Sequence, residues 1–232
     1  MTRLTLAIAA AMLTAGTVQS QIEFYENFDS DNAGVPMQDF TAFSRFTVEI
    51  GYVDLLGPGL DDFIPGSGLY VDMDGSSNNA GTLASTPINL EAGTYRLSYD
   101  LSYNPDQPGE NNTMLVSLSG LGVVQHVGIA GLSPTRFTTK SALINVTQEG
   151  PRQILFIHAG GDNAGYLIDN VVLRNLACLA DTNADGVLTP QDFTAWVVAF
   201  NANGPECEQN GDGVCSPADF SAWLAGWVAG CE

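Results

Sequence analysis

Between residues 21 and 175 the chain alternates apolar and polar positions with a period of two, and Gly, Pro, Asn and Asp interrupt the pattern at short intervals. Tyr95, Leu97, Tyr99, Leu101 and Tyr103 take turns with Arg96, Ser98, Asp100 and Ser102, the pattern of a strand that buries one face. Met114, Val116 and Leu118 repeat it, and segments 136–146, 154–158 and 166–173 read as further strands, as do 46–55 and 69–73 earlier in the chain. Turn-forming clusters separate them, among them 57–59, 74–79, 104–112 and 160–163. No helical period of useful length occurs in this region. Many short strands at regular spacing predict an antiparallel β-sandwich.

The period changes in segment 176–232. Phe193, Trp196, Val197 and Phe200 fall at i, i+3, i+4 and i+7, and Phe220, Trp223, Leu224 and Trp227 do the same. Two short helices are expected, and neither can bury its apolar stripe alone, so the pair must share a core. A comb of oxygen-bearing side chains precedes the first helix: Asp181, Asn183, Asp185, Thr189 and Asp192 stand at loop positions 1, 3, 5, 9 and 12. Gly186 sits at position 6, where a sharp turn is needed, and Val187 at position 7 offers its carbonyl. That spacing wraps hard oxygens around one Ca²⁺, which takes six to eight of them at about 2.3–2.6 Å. Asp192 replaces the usual Glu at position 12. Twenty-seven residues on, Asn210, Asp212, Gly213, Val214, Ser216, Asp219, Phe220 and Trp223 repeat Asn183, Asp185, Gly186, Val187, Thr189, Asp192, Phe193 and Trp196. Glu208 takes position 1 of this second loop, and its extra methylene predicts weaker binding.

A duplicated loop-plus-helix unit of this kind resembles a dockerin domain. Cys178, the Ala180–Gly186 and Gln209–Gly213 loop motifs, Pro-x-Asp-Phe-x-Ala-Trp twice, and the terminal Gly230-Cys231 make it most similar to the GC-type dockerin anchor of exported bacterial proteins. The likeness covers about the last 55 residues. It implies a calcium-folded module that docks on a protein, either a cohesin-like β-sandwich or sorting machinery. Pro190-Gln191 and Pro217-Ala218 stand at loop positions 10 and 11, where cellulosomal dockerins favour a hydroxyl pair, so a cell-surface or sorting role is implied over a cellulosomal one.

The chain opens with a leader-like stretch. Arg3, an apolar run over 4–15, and small residues at Val18 and Ser20 predict a secretory signal peptide over residues 1–20, cleaved before Gln21. The run is too short to span a bilayer, which takes about 20 residues, and no later stretch is long enough. Charge agrees with export: 26 acidic residues oppose 7 basic ones, and losing Arg3 leaves six against 26, a net charge of −20. Such a surface repels nucleic acid and anionic membranes and suits a soluble, secreted protein that binds cations. All four cysteines lie at or beyond position 178. In an exported chain they read as disulfides, with three pairings possible. Cys207–Cys215, flanking most of the second loop, and Cys178–Cys231, stapling the module's ends, are favoured. Four thiolates on zinc would be the metal alternative, but no Cys-x₂-Cys pair is present.

The order of motifs in 21–175 also resembles the galactose-binding-like, choice-of-anchor jelly-roll domains of exported bacterial proteins: Val53-Asp-Leu55, Tyr70–Ser76, Ala92–Asp100, Gly160–Asn163 and Ile168–Leu173. The resemblance implies a structural Ca²⁺ tying the first strand to the last, through Glu26 or Asp29 and Asp169. Asp72 and Asp74 are the other candidates, and Asp169 and Asn170 alternatively satisfy strand-end backbone groups.

Little points to catalysis. His126 and His158 are the only histidines and both lie in apolar strand-like surroundings, and no Gly-x-Ser-x-Gly elbow occurs. Asp61-Asp62 reads as a solvated edge. Sugar recognition would have to use Tyr52, Tyr70, Tyr99 or Tyr103, of which the alternation places Tyr99 in the core, with Asp61-Asp62 and Asn78-Asn79, which equally read as ordinary turn residues, because every tryptophan lies in the C-terminal repeat. The expectation is therefore a non-catalytic secreted protein in which a jelly-roll β-sandwich (21–175), structural or adhesive, is attached by a small α-helical, dockerin-like module (176–232). A polysaccharide-binding module is the alternative.

Overall fold

In the computed structural model the described residues are 21–232, except 77–78, 107–111, 177, 184, 186, 211–213 and 231–232. The expected signal peptide, Asn78, Asp212, Gly186, Gly213 and Cys231 lie outside them. Thirteen strands come first: β1 (Gln21–Glu26), β2 (Phe46–Ile50), β3 (Asp54–Leu56), β4 (Tyr70–Asp72), β5 (Thr82–Ser85), β6 (Ile88–Leu90), β7 (Gly93–Tyr103), β8 (Thr113–Leu118), β9 (Gly122–Gly128), β10 (Thr138–Val146), β11 (Gly150–Arg152), β12 (Ile154–Ala159) and β13 (Tyr166–Asn175). Two helices follow, α1 (Pro190–Ala202) and α2 (Pro217–Ala229).

One sheet runs β10-β7-β13-β4-β3, with β1 also on β13; the other runs β2-β5-β12-β8-β9, and β6 pairs with β11. All pairings are antiparallel. The chain passes back and forth between the sheets, and the apolar faces meet in one core. Tyr95, Leu97, Tyr99 and Leu101 from β7 are buried there with Phe24, Phe46, Met114, Val116, Phe156 and Leu173. The alternation seen in the sequence thus marks the inward face of β7, and Arg96, Ser98 and Asp100 lie on its outer face.

The expected strand over 46–55 is two strands. Gly51 has φ +68°, a left-handed turn, and a Cβ there would meet the Ala80 and Asn79 carbonyls. β2 therefore joins one sheet and β3 the other. Tyr70 is also a correction: proposed for an exposed sugar platform, it is fully buried in a second small core with Leu56, Ile64 and Leu167. Its hydroxyl accepts from Ile64 N–H (3.2 Å) and donates to the Asp61 carbonyl (3.2 Å). Tyr99 is core as expected and donates to Gln125 Oε1 (2.7 Å). Tyr52 stays exposed.

The C-terminal module has its own core, built from Cys178, Ala180, Trp196, Cys207 and Trp223. Pro at the start of each helix and a capping box set the N-termini: Thr189 and Ser216 are N-caps, with Asp192 and Asp219 reaching back to the cap backbone. The two halves interlock. Trp196 Nε1 donates to the Cys207 carbonyl (3.1 Å), just ahead of the second loop, and Trp223 Nε1 donates to the Ala180 carbonyl (3.2 Å), just ahead of the first. Cys207–Cys215 is a disulfide with Cα atoms 5.5 Å apart. Cys178 is disulfide-bonded as well, and Cys231, its expected partner, lies outside the described residues.

Candidate functional site

Asp181, Asp185 and Asp192 converge. One carboxylate oxygen from each lies within 4.8 Å of the other two, and among the described residues no other three acidic, histidine or cysteine side chains meet this way. Two oxygens bound to one ion at up to about 2.6 Å stand at most about 5.2 Å apart, so the spacing fits one Ca²⁺. Backbone donors hold the set in place. Asp185 N–H donates to Asp181 Oδ1 (3.1 Å) and Asn183 Oδ1 (3.0 Å), and Val187 N–H to Asp185 Oδ1 (2.9 Å). Asp192 is fully buried, with Oδ1 accepting from Asn183 N–H (3.2 Å) and Oδ2 from Thr189 N–H (2.8 Å). Thr189 Oγ1 accepts from Gln191 N–H (3.3 Å), a capping role that the comb alone did not reveal. Three carboxylates this close repel one another unless a cation joins them.

The second loop mirrors the frame. Asp219 is fully buried; Oδ1 accepts from Gln209 N–H (2.7 Å) and Asn210 N–H (3.1 Å), and Oδ2 from Ser216 N–H (2.8 Å). Burial alone would raise its pKa, but those amides outweigh it and hold the carboxyl below the usual range. Glu208 is buried and its Oε1 accepts from Asn210 N–H (3.0 Å). Val214 is exposed.

At the sandwich end of β1 the structure gathers acidic groups without a tight triad. Glu26 is buried and accepts from Phe28 N–H (2.7 Å); Asp29 accepts from Leu69 N–H (2.8 Å); Asp169, nearly inaccessible, accepts from Asn170 N–H (2.7 Å). Burial, then Asp100, Asp29 and Glu26, push the Asp169 carboxyl up to about 8. Asp31, which the sequence reading passed over, is buried beside them; its Oδ1 accepts from Ser44 N–H (2.8 Å) and its Oδ2 has no partner. Its only sequence cue was a position in an Asn/Asp-rich turn.

Asp72 works as a loop clasp. Oδ1 accepts from Asp74 N–H (3.0 Å) and Gly165 N–H (2.9 Å), Oδ2 from Asn104 Nδ2 (2.7 Å), and a Cβ at Gly165 would lie 2.5 Å from Oδ1. Burial raises its pKa to about 7 against an ordinary 3.8. Folded Asp72 keeps its proton where the unfolded chain has lost it, so its contribution makes stability fall as pH rises from about 4 to about 7. Asp72→Asn is expected to flatten that fall by up to about 1.4 kcal/mol per pH unit. Urea titrations across this window in saturating calcium check it, and parallel slopes for the two proteins would refute it. His158 is buried edge-on to Tyr166, and burial drives its pKa down to about 4. It is thus neutral at pH 7, as a packed histidine would be.

Between the outer face of the large sheet and the C-terminal module lies a cavity of about 350 Å³. Arg96 and Ser98 of β7 and Arg174 of β13 floor it; Asp181, Thr182, Asn183 and Glu206 of the module line its other side. Arg96 is buried and its Nη2 donates to the Glu208 carbonyl (2.9 Å), so the sandwich grips the second loop at its first position. Neither arginine drew notice in the sequence, because each occupies an outward strand position that ordinarily faces water. Their cue was scarcity: cationic side chains are few in this chain.

No protein-family model matches the chain, and no curated protein matches it in sequence. Among solved structures it is similar to the K3 cleaved adhesin domain of Lys-gingipain from Porphyromonas gingivalis W83, with 14% identity over 67% of this chain and 98% of that one and a TM-score of 0.46. It is also similar to a C-terminal family 6 carbohydrate-binding module of a laminarinase from Zobellia galactanivorans, with 16% identity, 60% and 97% coverage, and a TM-score of 0.37. A family 35 carbohydrate-binding module from Clostridium thermocellum matches with 18% identity, 60% and 95% coverage, and a TM-score of 0.39. No functional property of those proteins follows for this chain from likeness at that level. Among the described residues no helix is long and apolar enough to cross a membrane.

Proposed function

We propose that this chain is a non-catalytic, exported binding protein whose C-terminal module, folded around Ca²⁺ in a dockerin-like manner, attaches the β-sandwich to the cell envelope or to a protein partner. The observation that carries this reading is the meeting of Asp181, Asp185 and Asp192 oxygens within 4.8 Å in a loop that the chain then repeats. Asn183, Thr189 and the Val187 carbonyl complete the first set. Glu208, Asn210, Asp212, Val214, Ser216 and Asp219 form the second. Ca²⁺ supplies positive charge that joins carboxylates otherwise in mutual repulsion. Attachment is supported by the helices themselves, which leave Phe193 and Val198 of α1 and Phe220, Leu224 and Val228 of α2 exposed. A cohesin-like domain or sorting machinery would cover that face.

Calorimetry of the full chain is expected to show one tight and one weaker Ca²⁺ uptake, the weaker one at the Glu208 loop, with Asp185→Ala removing the tight one. Absence of uptake would overturn the reading. A further uptake beyond these two would mark an ion held in the sandwich by Glu26 or Asp29 together with Asp169.

A second reading is that the sandwich binds carbohydrate. The supporting observation is the cavity on the outer face of the large sheet, where Ser98 and Arg174 offer hydrogen-bonding groups to hydroxyls. Tyr52 is the exposed ring of the four tyrosines considered for stacking.

A further inference from the structure

We infer that the sandwich completes the second calcium loop: Arg96 of β7 is a positioning residue that holds the loop's entry in shape, so that calcium uptake there and docking of the two domains reinforce each other. This rests on the calcium reading and adds to it a dependence on the first domain.

The chain entering the second loop is held residue by residue. The Glu206 carbonyl accepts from Gln209 Nε2 (2.8 Å), the Cys207 carbonyl from Trp196 Nε1 (3.1 Å) and the Glu208 carbonyl from Arg96 Nη2 (2.9 Å). The next two amides, of Gln209 and Asn210, both donate to Asp219 Oδ1. Gln209, Trp196 and Asp219 belong to the module. The bond from Trp196 has its mirror in the bond from Trp223 to the Ala180 carbonyl, which precedes position 1 of the first loop. The bond from Arg96 is an addition to that symmetry, made by a residue 112 positions away in the other domain.

Arg96 is only 8% exposed. Burial works against its charge, and Glu206 and Glu208 work for it. A guanidinium taken out of water in this way costs stability unless it is used. Here it fixes the backbone of loop position 1. The Glu208 side chain is fixed separately, because its Oε1 accepts from Asn210 N–H (3.0 Å) inside the loop. The longer carboxylate at position 1 is therefore aimed before an ion arrives. Ordering a loop costs conformational entropy at every residue, and whatever is ordered beforehand lowers the cost of binding. A hydrogen bond from a charged donor shifts an equilibrium by roughly tenfold or more. The positive charge acts the other way on a cation, but the two glutamates beside it offset that repulsion. Coupling between two events is reciprocal, so an ion that fixes the Glu208 carbonyl also holds Arg96, and with it the sandwich.

The test is calcium titration calorimetry with thermal scans of the full chain. Arg96→Met, which keeps the bulk but neither donor nor charge, is expected to weaken the second uptake at least fivefold and to leave the first within twofold. Arg96→Lys, which keeps the charge on a shorter reach, should fall between. Arg174→Gln removes the neighbouring charge and leaves the bond, so both uptakes should stay within twofold. Calcium should also raise the sandwich transition of the wild type, and Arg96→Met should lose at least half of that rise. The far-ultraviolet sheet signal and the tryptophan circular dichroism in calcium identify the folded variants. A second uptake unchanged or tightened in folded Arg96→Met or Arg96→Lys would overturn the inference alone, as would equal weakening of both uptakes, or equal weakening by Arg174→Gln. A wild type that takes up no calcium would overturn the calcium reading and this inference with it.

Discussion

Chelation of calcium is expected to erase the near-ultraviolet circular dichroism of the tryptophans while leaving the β-sheet signal in the far ultraviolet. The separation is possible because all three tryptophans, Trp196, Trp223 and Trp227, lie in the module and none in the sandwich. Trp196 and Trp223 sit 6.5 Å apart in a core of five buried residues, small enough that the ion is expected to add to the disulfides in holding the fold. The sandwich has its own larger core and uses none of these residues. Asp192→Ala should reproduce the effect in the presence of calcium. It deletes one carboxylate of the loop and two charge-assisted bonds to Asn183 and Thr189, each worth roughly 1.5–3 kcal/mol. It also removes half of the α1 capping box. A tryptophan spectrum unchanged by chelator and by Asp192→Ala would show that the module folds without the ion.

Phe156→Ala should do the reverse and unfold the sandwich first. Phe156 is fully buried on β12, edge-on to Tyr99 at 5.2 Å and tilted against Phe46 at 6.2 Å, so it links three strands across the two sheets. Truncating it leaves a large void among aromatic neighbours that cannot collapse, a loss of about 3–5 kcal/mol. For a chain of this size that is roughly 10 °C in the sandwich transition. Calorimetric scans in calcium read it directly, and a loss below about 1 kcal/mol would mean that the core repacks.

What the sequence disclosed followed from periodicity. β7 alternates cleanly because one of its faces meets the core, β12 and β13 stand out as apolar runs, and the helical stripes stand out because the chain states them twice. The unread parts have physical reasons. β5 is buried on both faces, so Thr82–Ser85 carries no alternation. β6 and β11 are three residues each, below the length at which a period shows. The break at Gly51 depends on one backbone angle. Tyr70 is covered by the loop over 57–68, whose Leu60, Phe63 and Ile64 pack against its cluster, a contact no local pattern encodes. The calcium comb was legible because its ligands are local in sequence; the arginine pair was not, because β7 and β13 bring together residues 78 positions apart.

The position of β13 has a consequence for how the sandwich comes together. This strand is the last of the domain to be synthesised, yet it pairs with β7 on one edge and with both β1 and β4 on the other. The large sheet therefore lacks its keystone until residue 175 has emerged, and every contact that keystone makes spans much of the domain. A nascent chain stopped short of it would hold an open edge along β7 and a β1 with nowhere to dock. Completion of the first domain and the start of the second are thus separated by only a handful of residues, and the sandwich stays open until residue 175 has emerged.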